Sequence, residues 1–199
     1  TESCSVLYVN LESSWGLQGR LNAWIQVLCP EPPNNLSFIL DAFDLLNPLH
    51  VKAIIQAAPK HGMVIIDTLN RASPGTDENS SKDMGAIIHA ATAIQAATEG
   101  LVLFVTHSGK DTTRGIRGHS SFIAALDAAI EVERKGNVRV LKLDKVKEGI
   151  DGIEQDFQLK VVTIGQEEDG SDITSCVVAP IDRQEKKKAL TPSLQYALQ

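Results

Sequence analysis

The segment from Met63 to His107 constrains the fold more than any other part of the chain. Two apolar, β-rich runs, MVIIDTL (63–69) and LVLFVTH (101–107), flank an Ala/Ile-rich stretch at 84–98 that has helical periodicity and is followed by Gly100. Strand, helix, strand with apolar strands implies a parallel sheet, because right-handed crossovers lay helices over both faces and remove the alternation of half-exposed strands. A polar loop, 70–83, separates the first strand from the helix.

The same reading extends in both directions. VLYVNL (6–11) is β-rich and ends at Glu12, and Leu17, Leu21, Trp24, Ile25 and Leu28 then follow at helical spacing until Pro30, Pro32 and Pro33 stop them. FILDAF (38–43) predicts a further strand, and 48–60 a helix with Pro48 near its start and Gly62 beyond its end. After the Gly-flanked basic stretch GKDTTRGIRG (109–118), a helix is expected at about 119–128. Beyond it, AIEVER, VRVLKLDKV, DFQLKVVTIG and TSCVVAP alternate like antiparallel strands joined by short turns. The expected organisation is an α/β core with C-terminal antiparallel strands over 1–182, and a polar tail over 183–199 that carries Lys186 to Lys188.

Composition narrows the class. With 199 residues, 43% of them hydrophobic, the chain can bury one substantial core. A net charge of -6 argues against a protein that coats nucleic acid through bulk basicity, so any such contact must be local. Cys4, Cys29 and Cys176 are odd in number and lack zinc spacing, which fits a reducing cytoplasm. No apolar run reaches the roughly 20 residues of a membrane span, and no secretory signal opens the chain. Because Thr1 leads almost directly into a core strand, the chain is expected to be a piece of a longer one.

Ligands of open parallel sheets bind beyond the carboxyl ends of the strands, and Glu12, Asp67 and His107 each close an apolar run. Asp67 suits a magnesium water shell, or it starts a turn. Glu12 can deprotonate an attacking water, or it is an acid placed by a helix dipole. His107 can hydrogen-bond a γ-phosphate, or it is a polar residue at a sheet edge. Arg114 and Arg117, and separately Lys145 and Lys147, can reach phosphates of the same or a neighbouring subunit, or they are solvated surface charges. The phosphate-cradling stretch G-x-x-x-x-G-K-[ST] is absent from these residues.

Four collinear stretches carry a family resemblance: VLYVNLESSWGLQGRLNAW (6–24), VIIDTLNRASPGTDENSSKDMG (64–85), VTHSGKDTTRGIRGHSSFIAALDAAIEVER (105–134) and KVKEGIDG (145–152). Over about 6–180 the chain resembles the RepA-like AAA ATPases of the RecA superfamily, found in phages, prophages and plasmids. The resemblance implies a RecA-like core that assembles into a ring, usually a hexamer, with ATP and Mg2+ at subunit interfaces and single-stranded DNA in the channel. It makes Asp67 the Walker B acid, Glu12 the acid that activates water and His107 the γ-phosphate sensor. It makes Arg117 the arginine finger with Arg114 beside it, and places Lys145 and Lys147 where related rings carry a paired basic finger.

Two departures stand out. Leu11-Glu12-Ser13 replaces the Gly-Glu-Gly of many relatives, and the family's P-loop strand and helix, which precede this segment, are missing. That strand would lie beside 101–106, so the fragment is expected to dimerise or exchange strands through an unpaired edge. The intact protein is then expected to be a helicase-like motor in replication, with this chain alone inactive. The alternatives are a non-hydrolysing RecA-like assembly or DNA-binding module, and a metal-dependent hydrolase using Glu12, Asp67 and His107 directly.

Overall fold

In a computed structural model of the chain, the described residues are 3–29, 31, 33–107 and 120–181. The elements run β1 (Val6–Asn10), α1 (Ser14–Val27), β2 (Leu36–Ile39), α2 (Pro48–Ala57), β3 (Met63–Asp67), α3 (Leu69–Ala72), α4 (Ser81–Thr98), β4 (Leu101–Val105), α5 (Ser120–Ala125), β5 (Ala128–Lys135), β6 (Val138–Val146), β7 (Glu154–Gln166) and β8 (Asp172–Ile181). The first four strands form a parallel sheet in the order β2-β1-β3-β4, and the last four form a second sheet in the order β5-β6-β7-β8. The pairs β5–β6 and β6–β7 are antiparallel. The fold is therefore the expected α/β class with an antiparallel C-terminal portion.

The chain divides into two compact units, one comprising 1–126 with 161–177, the other 127–160 with 178–199. In the first, Leu7 and Val9 of β1, Val64 and Ile66 of β3, and the partly buried Val102 and Phe104 of β4 point to one face of the sheet. There they join Ile54 of α2 and Met84, Ile87, Ala90 and Ile94 of α4 in a single core. Each large aliphatic side chain fully buried in this way contributes about 1.5–3 kcal/mol. Helix boundaries follow local chemistry. Asn47 caps α2 ahead of Pro48 at N1, and Ser80 caps α4 by accepting from the Asp83 amide.

Two glycines set how closely β3 and β4 begin. The Leu101 amide donates to Gly62 O at 2.9 Å, and a Cβ on Gly100 would lie 2.3 Å from that same oxygen. A Cβ on Gly62 would in turn lie 2.4 Å from Ser5 O. Only glycine fits either position.

Several expectations shift. The second strand is LSFI (36–39) rather than 38–43, because its pairing with β1 ends at Val9 opposite Ile39. β3 stops at Asp67, where its partners Asn10 and Val105 also stop, and the chain turns at once into α3 instead of continuing to Leu69. β4 is not covered on both faces, since Leu101 and Leu103 remain 49% and 37% exposed. Among the described residues β4 pairs only with β3, so its outer edge is the open end of the sheet.

Candidate functional site

The register of β1 against β3 builds the site. Asn10 pairs with Asp67, and in parallel strands paired residues project to the same side. Tyr8, two residues upstream, shares that side with Asn10. Its ring packs at a tilt against Phe38 of β2, with centroids 5.9 Å apart, and its hydroxyl donates to Asp67 Oδ2 at 2.5 Å. Burial, then the hydrogen bond to Asp67 and its charge, push the Tyr8 phenol far above its ordinary value. Tyr8 is thus held as a donor, and Asp67 Oδ1 accepts no bond from the described residues.

The carboxylate of Asp67 neither starts a turn by its own hydrogen bond nor caps α3. The capping position of α3 belongs to Thr68, whose side chain makes no cap bond, and the Asp67–Thr68 peptide is cis. Instead, the Thr68 hydroxyl, almost wholly buried, donates to Glu12 Oε1 at 2.9 Å. The Leu11 amide donates to Asp67 O at 2.7 Å, which ties the end of β1 to the end of β3. Glu12 is likewise not the helix cap, because Ser13 caps α1 by accepting from the Gly16 amide. Arg71 Nε lies 3.8 Å from Glu12 Oε1 on an exposed rim, where an ion pair of this kind contributes little to stability.

Asn10 is 1% exposed, and neither its amide nitrogen nor its amide oxygen has a hydrogen-bond partner among the described residues. Leaving such a group unmet costs about 1–3 kcal/mol.

The structure brings Glu12 and Asp67 together through Thr68. His107 stands two residues past Val105, the partner of Asp67 in β4; it is exposed and makes no bond to the described residues. Arg114 and Arg117 lie outside the described residues. Lys145 falls inside β6, opposite Ala129. Lys147 follows β6, its amide donating to Asp127 O and its ammonium lying 3.3 Å from Asp127 Oδ1. A bulge at Ala129/Ile130 sets this end of the β5–β6 ladder. Both lysines belong to the second unit.

Sequence reasoning passed over Tyr8, Asn10, Thr68 and Arg71. Period two read back from Glu12 finds Asn10 and Tyr8, but only the register of β1 against β3 shows that they meet Asp67.

The two acids thus lie at the carboxyl ends of adjacent parallel strands, where ligands of open α/β sheets bind. The sequence profile of the AAA domain family matches residues 1–113. The crystal structure of the RadB recombinase is similar to this chain with a TM-score of 0.57 at 12% identity, over 79% of this chain and 76% of that one. The flagellar accessory protein FlaH from Methanocaldococcus jannaschii is similar with a TM-score of 0.48 at 12% identity, over 90% and 77% of the two chains. No curated protein matches the sequence. The chain belongs to the AAA domain family, and its fold is similar to that of the RadB recombinase. No helix among the described residues is long and apolar enough to cross a membrane.

Proposed function

We propose that this chain is the core of a RepA-like, ATP-driven ring ATPase that acts on single-stranded DNA in replication. ATP is hydrolysed at its subunit interfaces. The observation that carries the reading is the link Asp67–Thr68–Glu12 at the carboxyl ends of two adjacent parallel strands. One acid suited to a magnesium shell closes β3, and one suited to a water nucleophile lies in the turn after β1, tied by Thr68 to the residue that follows the first, which supports phosphoryl transfer by positioning.

The donor set fits a magnesium nucleotide. Asp67 offers Oδ1 with no protein partner among the described residues, and the buried Asn10 amide beside it has unmet donor and acceptor capacity. When bound, the magnesium nucleotide supplies the phosphoryl group and the positive charge that a carboxylate there would face. Asp67 holds the metal's water shell. Glu12, fixed through Oε1 by Thr68, keeps Oε2 to accept a proton from water. His107, exposed past β4, reads the γ-phosphate, and Arg117 with Arg114 acts on the site of a neighbouring subunit. Lys145 and Lys147 act on that neighbouring site; the pairing of Lys147 with Asp127 makes its engagement dependent on exchanging that partner.

These 199 residues contain no G-x-x-x-x-G-K-[ST], so the reading requires a phosphate cradle that they do not supply. That same observation favours a second reading, a RecA-like assembly or DNA-binding module without hydrolysis. The deciding experiment measures ATPase activity of the full-length protein with and without single-stranded DNA, alongside Asp67→Asn. The motor reading requires DNA-stimulated activity that Asp67→Asn removes; full activity in Asp67→Asn would reject the role given to that acid, and no activity in the parent would favour the module.

A further inference from the structure

We propose that Tyr8 is a positioning residue for Asp67, selecting which carboxylate oxygen faces the metal; the inference rests on the role given to Asp67 above. Tyr8 and Asp67 come from different strands and are far apart in sequence, yet the β1–β3 register puts the phenol hydroxyl 2.5 Å from Oδ2. An Asp at a strand end has two torsions free, and a metal-bound water tolerates little error in the oxygen it meets. Hydrogen bonds from an outer shell commonly fix such ligands.

Three features suit Tyr8 to this task. Its ring is anchored away from the site, half-buried and packed against Phe38, so the hydroxyl is delivered from a fixed base. Its hydroxyl is aimed along the strand toward the carboxyl ends, where Asp67 sits. Its bond occupies Oδ2 alone and leaves Oδ1 for the metal's water shell. Removing the hydroxyl keeps the ring, its packing and the strand pairing, and frees only the carboxylate torsion. A tyrosine whose role was packing would be replaced by phenylalanine without consequence at the metal.

The test is a double-mutant cycle on the full-length protein, reading Mn2+ binding in the presence of ATP by electron paramagnetic resonance. ATP affinity in EDTA and the thermal midpoint serve as controls for the cradle and the fold. Tyr8→Phe is expected to weaken Mn2+ binding on the order of tenfold, with the ATP affinity in EDTA unchanged and the midpoint still well above the assay temperature. Asp67→Asn weakens Mn2+ binding further, and adding Tyr8→Phe to it changes nothing more. Unchanged Mn2+ affinity in Tyr8→Phe overturns the positioning role while leaving Asp67 its own; an equal loss in the Asp67→Asn background also overturns it. If Asp67→Asn itself binds Mn2+ normally, the functional reading fails and this inference falls with it.

Discussion

Thr68 donates its hydroxyl to Glu12 at 2.9 Å, so the residue that follows one acid of the site holds the other. The bond spans 56 positions of sequence and closes only because β1 and β3 are neighbours in register. Thr68→Val keeps the shape of a nearly buried side chain and removes the donor. Glu12 would then be steered by the exposed Arg71 alone. In the full-length protein, kcat for ATP hydrolysis should fall about tenfold, a part of what positioned general-base catalysis contributes, with KM for ATP little changed. A rise in KM at constant kcat would assign Thr68 to binding instead.

The raised phenol of Tyr8 has a consequence at high pH. The native state holds this proton more tightly than the unfolded chain, whose phenol titrates near its ordinary value of about 10. The associated stability is therefore fully present below that pH and is lost as pH climbs toward the folded value. Tyr8→Phe should lose stability less steeply than the parent above pH about 10. Urea midpoints across the alkaline range read this directly, and parallel curves for the two proteins would contradict it.

Gly100 sits where a side chain would meet the backbone of Gly62 at 2.3 Å. Gly100→Ala has to push apart the starts of β3 and β4, where the Leu101 amide bonds Gly62 O. A loss of more than about 2 kcal/mol is expected, in the range of overpacking a tight backbone contact. Chemical denaturation measures it. Gly85, on α4, has open space around it, and Gly85→Ala should leave the fold intact or firmer.

The open edge of β4 should make the isolated 199-residue chain self-associate. Leu101 and Leu103 add exposed apolar surface to a strand that pairs on one side only among the described residues. Such edges template pairing with another chain, and a charge placed on them opposes it. In sedimentation velocity, the parent chain should run as a dimer or larger and Leu103→Lys should shift toward monomer. A monodisperse parent monomer would remove the edge as an association surface.

Much of the fold was legible because burial leaves a periodic trace. The apolar runs of β1, β3 and β4 and the Ala/Ile pattern of α4 marked a parallel sheet with a crossover helix, and the alternating runs after Ala128 marked antiparallel strands. The end of β3 was less legible. Leu69 continues the apolar run by composition, but it enters α3 and the core, because a strand ends where its partners end. The face coverage of β4 was not legible either, since LVLFV records an apolar strand without saying that the face of Leu101 and Leu103 stays exposed.

By itself the sequence determined the α/β class, the family resemblance and the two acids, Glu12 and Asp67, that close apolar strands. Tertiary structure alone decided which side chains hold those acids. Tyr8 reaches Asp67 and Thr68 reaches Glu12 across a strand register, and the Asn10 amide is left buried and unmet beside them. Hydrogen bonds are directional and short-ranged, so their partners are fixed by which residues the sheet sets side by side, and composition along the chain carries no record of that pairing.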